Sequence, residues 1–477
     1  MEHATSQSPG FPTQQLLPRS VMPRIGRRTF LQIGGLAGAG LTAIDRCLQQ
    51  AAAASVPLPL RDKSVILLFM HGGPSQYETF DPKMTASANI RSATGELATS
   101  LPGITFGGTM SRLAQRAHKL AVVRSFVTGD GNHDIKPVVG RATQGANMGS
   151  LYARIAGSTR PDSAMPTNVA LFPRAVVPEA GPAITDFGNF EATGELGKQY
   201  APFVPGAGGG LQQDMSLSMD PARLTDRRSL LAAVDSWRRQ ADRDATFGGW
   251  NAFQQQAFDS LLRGVSAAFD LKREDPRSIE RYDTGPLVPV ERIDKRWNNH
   301  RHYADHVASL GKLLLLARRL CEHGCGFVTV TTSFVWDMHA DINNAPMVDG
   351  MGYVGAPFDH AVSAFIDDCE ARGLSDKILL VCCGEMGRTP QLNVHGGRDH
   401  WGNLAPLLLY GGGLRMGQVI GQSARDGGQP SSDPVTLADL ASTIMHTLVD
   451  VGQTRLTRGI PASVLDAISA GRPISGL

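Results

Sequence analysis

Three apolar or β-branched segments of the chain are each followed by side chains that can bind a metal or an anion. These segments and the polar residues after them are 64–70 with His71, 327–332 with Asp337 and His339, and 378–383 with Glu385. Continuous runs of this kind are typical of strands that are buried on both faces of a parallel sheet. Because ligands bind at the carboxyl ends of such strands, the pattern predicts a functional site there.

A second group of reactive side chains lies near the C-terminus. The sequence Gly-Glu-Met-Gly-Arg-Thr-Pro at 384–390 is followed by Gly-Arg-Asp-His-Trp at 397–401. Carboxylates and neutral imidazoles are suitable ligands for zinc and other divalent ions. The sequence therefore predicts a divalent metal centre that holds zinc, calcium or manganese. Its candidate ligands are Asp337, His339, Asp399, His400, Glu385 and His71.

Several of these residues also have a purely structural interpretation. Asp399 could simply orient His400, because carboxylates commonly fix the ring of a neighbouring histidine. Glu385 could form an ion pair with Arg388 instead of binding a metal. Arg388 and Arg398 could hold phosphate or sulfate, since guanidinium groups bind these anions bidentately, or they could anchor loops. Convergence of three such motifs at strand ends favours the interpretation as a site.

Five motifs occur in a recognisable order along the chain. They are His71-Gly-Gly-Pro-Ser, Asn132-His133, Trp336-Asp337-x-His339, Gly384-Glu385-x-Gly-Arg-Thr-Pro and Gly397-Arg398-Asp399-His400-Trp401. This set resembles the exported bacterial family called domain of unknown function 1501, which is similar to the alkaline-phosphatase and sulfatase superfamily. The resemblance implies an alkaline-phosphatase-like core with a site for phosphate or sulfate esters. In that site, substrate-binding roles fall to Arg388, Arg398, His133 and Asn132.

The chain departs from the superfamily pattern at several positions. His71 stands where a metal-binding Asp usually follows the first strand, and Met386 follows Glu385 where the superfamily often has a His. No Cys/Ser-x-Pro-x-Arg sequence occurs in the nucleophile region, so a formylglycine sulfatase is not expected. Thr128 and Ser75 are the nearest hydroxyls, and the sequence leaves the catalytic residues unassigned. Water activated by a divalent ion could attack the ester directly.

Two functions are therefore compatible with the sequence. The first is an exported, metal-dependent hydrolase of phosphate or sulfate esters, and the retained Asp and His residues favour it. The alternative is a non-catalytic extracytoplasmic binding or scaffold protein with a degenerate site. The substitution at His71, the missing partner beside Glu385 and the absent nucleophile favour this alternative.

The remaining pattern predicts an α/β domain over residues 55–477. Alternation of strands and helices predicts a mostly parallel sheet sandwiched by helices. Strands are expected at 64–70, 120–126, 169–172, 326–332, 378–383 and 407–410, and helices at 111–119, 303–322, 358–372 and after Thr436 through Thr447. Residues 221–300 are expected to form a helical insertion, because Arg, Asp, Ala, Gln and Leu recur there at helical spacing.

The first 54 residues have the pattern of an export signal. Arg27 and Arg28 precede Phe30 and Leu31, and a short run rich in Gly and Ala follows, as in twin-arginine signals. That run is too short to span a membrane comfortably. The net charge of +2 argues against a nucleic-acid partner. We expect a protein of the periplasm or cell surface with no stable membrane span, whose partners are the twin-arginine translocase during export and an anionic ester.

Replacing both Arg27 and Arg28 by lysine should block export, because the paired arginines are the recognised feature of the signal. Cell fractionation with immunoblotting measures the distribution of the protein between cytoplasm and periplasm. The control variant Arg19→Lys/Arg24→Lys makes the same chemical change outside the pair and should be exported normally. Unchanged appearance of the first variant in the periplasm would contradict the assignment.

Overall fold

The computed structural model describes residues 58–206 and 265–477 of the chain. The predicted export signal at 1–54 and residues 221–264 of the predicted helical insertion lie outside these ranges. Among the described residues, none of the helices combines the length and the apolar character needed to cross a membrane.

The described elements alternate between strands and helices along most of the chain. The strands are β1 Ser64–Phe69, β2 Glu96–Ala98, β3 Thr105–Gly107, β4 Ala121–Val123, β5 Asn168–Leu171, β6 Phe327–Thr331, β7 Ile378–Cys383, β8 Gly387–Arg388, β9 His400–Trp401, β10 Leu407–Gly411 and β11 Gln418–Ile420. The helices are α1 Ser111–Gln115, α2 Met148–Ala156, α3 Ser266–Phe269, α4 Pro276–Tyr282, α5 His300–Glu322, α6 Met347–Ala371, α7 Leu437–Leu448, α8 Val451–Leu456 and α9 Ala462–Ser469. Short 3-10 turns join several of these elements.

A seven-stranded sheet forms the centre of the fold, with the strand order β11-β4-β10-β7-β1-β6-β5. β1 pairs in parallel with both β6 and β7, so these three strands end at the same edge. β10 is the exception, because it runs antiparallel to both of its neighbours. The prediction of a mostly parallel sheet is therefore confirmed.

Helices cover both faces of this sheet. Along β1, Ile66 and Leu68 face one hydrophobic core while Val65 and Leu67 face another, as the period of two in a strand requires. The first core is completed by α5 and α6, and the second by α2, α7 and α9. Each large apolar side chain buried in this way contributes about 1.5–3 kcal/mol. This arrangement confirms the predicted sandwich of helices around the sheet.

Helix α6 is longer than the sequence predicts. The predicted helix starts at 358, directly after Pro357, a residue type that lacks a backbone N–H and commonly interrupts a helix at a cost of about 3 kcal/mol. In the structure the helix begins at Met347 and Pro357 lies inside it. Met351 and Val354 in the added turns are fully buried in the core. Their burial offsets the lost hydrogen bond, so tertiary packing overrides the local preference.

The described end of the predicted insertion, residues 265–299, contains α3, α4 and 3-10 turns. A buried ion-pair network joins this segment to α5 and α6. Glu274 accepts from Arg318 at 2.9 Å and from Arg319 at 2.8 Å, and Arg318 also contacts Asp368 at 2.9 Å. Burial alone would raise the pKa of Glu274, but the contacts with Arg319 and Arg318 outweigh it and lower the pKa to about 2.

Glu274→Gln should lower the thermal midpoint of unfolding. Removing one partner of a buried ion pair leaves the other uncompensated and costs about 3 kcal/mol. The isosteric control Glu280→Gln changes an exposed residue of α4 and should leave the midpoint unchanged. Because the folded-state pKa of Glu274 is depressed from its ordinary value of 4.5 to about 2, the stabilisation is present above about pH 4.5 and is lost as the pH falls through 2. Equal midpoints for the two variants at neutral pH would contradict this role.

Candidate metal centre

The exits of β1, β6 and β7 meet at one edge of the sheet. Neighbouring parallel strands are separated by about 4.8 Å, so loops that leave them can touch. Gly72 permits the closest approach, because its φ is +116° and an added Cβ would lie 2.6 Å from the backbone nitrogen of Asp337. Its N–H donates to Glu385 Oε1 at 2.9 Å, which links the exits of β1 and β7.

Four polar side chains converge at this edge. The ligand atoms of His133, Asp337, His339 and His400 all lie within 4.8 Å of one another. Asp337 Oδ1 lies 3.3 Å from His133 Nε2, 2.9 Å from His339 Nε2 and 3.4 Å from His400 Nε2. The Nε2 atoms of His339 and His400 are 2.7 Å apart. Three imidazole nitrogens and one carboxylate oxygen therefore surround a common point.

These separations fit a bound divalent ion. Ligand atoms at 2.0–2.1 Å from a tetrahedral zinc ion lie about 3.4 Å apart, and the three histidine Nε2 atoms lie 2.9–3.4 Å from Asp337 Oδ1. Three histidines and one Asp are also among the residue types that zinc prefers. Small outward shifts of His339 and His400 would complete such a geometry. The residues present therefore fit a single metal ion.

Two of the three imidazoles contact a carboxylate through Nδ1, the ring nitrogen that does not face the cluster. The Nδ1–H of His133 donates to Glu385 Oε1 at 2.9 Å, which leaves Nε2 directed at the cluster. His339 Nδ1 lies 3.4 Å from Asp399 Oδ1, so its Nε2 is also free for the cluster. Metal-binding histidines commonly have such carboxylate partners, which fix the tautomer and the ring orientation. Glu385 and Asp399, both expected from the sequence to be direct ligands, therefore contact the Nδ1 atoms of His133 and His339 instead of joining the ligand atoms.

Asp337, the one carboxylate among the four residues of the cluster, is strongly stabilised in its ionised form. Burial by itself would raise its pKa, but the charge of Arg388 and the hydrogen bonds with the three histidines lower the pKa far below its usual range. Arg388 Nη2 donates to Oδ1 at 2.7 Å, and Asn344 Nδ2 donates to Oδ2 at 3.0 Å. Asp337 therefore stays ionised, as a metal ligand must be.

The histidines of the cluster differ in their electrostatic surroundings. Burial favours the neutral form of His133, but its hydrogen bonds to Asp337 and Glu385 outweigh this effect and raise its pKa. Burial lowers the pKa of His400, and its hydrogen bond to Asp337 offsets this only in part. The side chains of His339 and His400 are 22% and 30% exposed, so the cluster is open on their side.

Of the two roles that the sequence leaves open for Arg388 and Arg398, the structure supports loop anchoring and not anion binding. Both side chains are fully buried. Arg388 donates to the carbonyl oxygens of Gly72, Gly73 and Arg398 as well as to Asp337. Arg398 donates to Glu78 and to the carbonyl oxygens of Ile90, Arg91, Thr389 and Pro390. Their donors are used within the protein, so both residues hold loops together.

Two further predicted site residues, His71 and Asn132, lie outside the ligand group. His71 is fully buried among the rings of Phe69, Phe187, Phe190 and Phe334. Burial lowers its pKa to about 4, which keeps the imidazole neutral. Asn132 is exposed in the loop before His133. His133, predicted to bind substrate, instead lies among the ligand atoms.

Two positioning residues carry no signal that sequence reasoning could have used. Asn344 supports Asp337 from a loop seven residues away, and Asn393 donates to the carbonyl oxygen of His339 at 2.8 Å. The candidate hydroxyls offer no nucleophile, because Ser75 donates to Glu78 and Thr128 to the carbonyl oxygen of Gly402. Glu78 is likewise occupied by Arg398.

The chain belongs to the family described as "Protein of unknown function (DUF1501)", whose model matches residues 62–463. This membership confirms the family resemblance seen in the five motifs. No curated protein matches the sequence.

Several solved structures resemble this one at low identity. The sulfatase PsFucS1 from Pseudoalteromonas sp. is 12% identical, with 81% of this chain and 68% of that chain covered and a TM-score of 0.36. The lipoteichoic acid synthase LtaP from Listeria monocytogenes is 10% identical, with coverages of 85% and 76% and a TM-score of 0.33. The phosphonate monoester hydrolase SpPMH from Silicibacter pomeroyi is 12% identical, with coverages of 86% and 76% and a TM-score of 0.28. At these TM-scores the resemblances carry no argument about the chemistry of this chain.

The purified protein should bind one divalent transition-metal ion per chain. Equilibrium dialysis against zinc, followed by elemental analysis, measures the stoichiometry. His339→Ala and His400→Ala each remove one ligand and should lose the ion, whereas His118→Ala changes an exposed histidine outside the cluster and should keep it. Glu385→Gln should weaken binding by about 10–100-fold, because it perturbs the orientation of His133. Equal zinc content in all four variants would rule out this cluster as the site.

Proposed function

We propose that this protein is a metal-dependent hydrolase of phosphate or sulfate esters. The observation that supports the proposal is the group of three histidines and one Asp that converges at the carboxyl edge of the sheet. This edge is where α/β proteins bind their ligands. The group is open to solvent on the side of His339 and His400, so an ester can reach it.

The donor set favours a transition metal over calcium. Calcium takes six to eight oxygen ligands, whereas three of the four converging atoms are imidazole nitrogens. Imidazole suits zinc, copper, iron and nickel, whereas manganese and calcium prefer oxygen ligands. Of the ions expected from the sequence, zinc therefore fits the site best. We propose zinc as the first ion to test.

Residues of the protein would hold the divalent ion and keep its ligands in the protonation state that binding requires. A bound divalent ion supplies Lewis acidity towards the ester oxygens and lowers the pKa of water. Glu385 keeps the Nδ1 proton on His133, so that Nε2 is available as a ligand. Asp337 is held in its ionised form by Arg388. Because Ser75 and Thr128 are engaged elsewhere, water is the proposed nucleophile.

A non-catalytic scaffold is the alternative function. One specific contact favours it: Arg388 Nη2 lies 2.7 Å from Asp337 Oδ1, so the carboxylate already has a cationic partner. Arg388 Nη1 also lies 3.4 Å from His339 Nε2. The cluster could then be a charge-balanced structural centre without metal. Metal binding by the purified protein separates the two functions.

The proposal places this activity outside the cytoplasm. Arg27 and Arg28 lie in a twin-arginine pattern, and that translocase exports proteins after they have folded. A folded passenger can acquire its metal before it leaves the cytoplasm. The translocase is therefore the proposed partner during export, and an anionic ester is the proposed substrate in the periplasm or at the cell surface.

Zinc-loaded protein should hydrolyse 4-nitrophenyl phosphate or 4-nitrophenyl sulfate, and a chelator should abolish the activity. His400→Ala should reduce kcat/KM by at least about 100-fold, because the ion would lose a ligand. The control His118→Ala should retain full activity. Release of 4-nitrophenol measures the rate. Stoichiometric zinc binding without turnover of either ester would favour the scaffold.

A further inference from the structure

An open pocket adjoins the ligand cluster and shares His339 with it. Its volume is about 440 Å³, and it is lined by His339, Ala340, Asp341, Asn393, His395 and Asp399. Pockets that bind small ligands commonly have volumes of about 300–1,000 Å³. If the cluster processes an ester, as proposed above, this pocket is the adjacent space for the alcohol part of the substrate.

The described residues of the lining present hydrogen-bond acceptors and include neither Lys nor Arg. Asp341 Oδ1 is occupied by the backbone N–H groups of Asn343 and Asn344. Asp399 Oδ1 lies against His339 and Asn393. Within the described residues, no hydrogen bond is made to the second carboxylate oxygen of either Asp, so both oxygens are available to a ligand. A ligand group that donates hydrogen bonds and carries a positive charge would match these carboxylates.

Exposed carboxylates also occur on the loops that carry His133 and His400. The side chains of Asp399, Asp130 and Asp134 are 61%, 55% and 50% exposed. Lys136 pairs with Asp130 at 2.6 Å and with Asp134 at 3.2 Å, so these three side chains together contribute one negative charge. Arg388 and Arg398 are fully buried. Among these described residues the exposed charge is therefore net negative, which favours a cation over a second anionic group.

We propose that this pocket recognises a protonated amine on the alcohol part of the ester, with Asp341 and Asp399 as its acceptors. The substrate would then be zwitterionic, with its phosphate or sulfate at the ligand cluster and its ammonium group in the pocket. Asp341 determines this specificity and takes no part in the reaction. The proposal rests on the proposed hydrolase function only for the position of the ester group.

Binding to zinc-loaded protein tests the pocket without requiring turnover. The three probes are 2-aminoethyl phosphate, 2-hydroxyethyl phosphate and phosphoglycolate, which differ only in the group at the far end. Isothermal titration calorimetry should give the tightest binding for the amine and the weakest for the carboxylate. Asp341→Asn should reduce the preference for the amine about two- to fivefold, which is the range for one exposed ion pair.

Matched variants guard against indirect effects. Asn at position 341 keeps an acceptor for the backbone groups of Asn343 and Asn344, so the loop should keep its shape; unchanged zinc stoichiometry checks this. Asp341→Glu retains the charge and should restore most of the preference. Asp466→Asn removes the same charge from an exposed position on α9, outside the pocket, and should leave the preference unchanged.

The possible outcomes distinguish the two proposals. Equal affinity for the three probes, tighter binding of phosphoglycolate, or no binding of the amine probe would overturn the pocket assignment. Hydrolysis of 4-nitrophenyl esters together with any of those results would leave the hydrolase intact and remove only the amine specificity. An amine preference that Asp341→Asn reduces, without turnover of any ester, would support the pocket and overturn the hydrolase.

Discussion

The buried guanidinium of Arg388 connects the loops that form the candidate site. It donates to the carbonyl oxygens of Gly72 and Gly73 after β1, to Asp337 after β6, and to the carbonyl oxygen of Arg398 before His400. A buried charge is costly unless it is paired and fully hydrogen-bonded. Any displacement of one loop would leave part of this guanidinium without a partner, so the loops keep their mutual positions. The convergence of the ligand atoms depends on this constraint.

Arg398 connects a second set of loops in the same way. Its side chain binds Glu78, stacks on the ring of Tyr77 at 4.2 Å, and donates to carbonyl oxygens of two separate loops. Arginine suits this position because its five N–H groups form a rigid, planar fork. A lysine could satisfy fewer carbonyl groups at either position. The two arginines of the Gly-Arg motifs are thus explained by backbone positioning, without an anionic ligand.

The sequence predicts those features that depend on local pattern. Continuous apolar runs predicted β1, β6 and β7 closely, because a strand buried on both faces needs apolar side chains at every position. The sequence could not predict which polar side chain in the loop after a strand contributes an atom to the ligand cluster. His133 and Glu385 illustrate the difficulty: their order is set by the path of the loop after β4, which brings His133 between Glu385 and Asp337. The inward direction of Arg388 and the helical turns before Pro357 likewise depend on tertiary contacts.

Charge balance explains why a divalent ion fits a site that already contains a buried arginine. Asp337, Glu385 and Asp399 contribute three negative charges around the histidines, and Arg388 contributes one positive charge. With neutral imidazoles, this group has a formal charge of −2, which one divalent ion neutralises. Without the ion, part of the balance must come from protons, and the raised pKa of His133 is consistent with that requirement. Arg388 compensates one of the three carboxylates, so the proposed divalent ion would balance the charge of the other two.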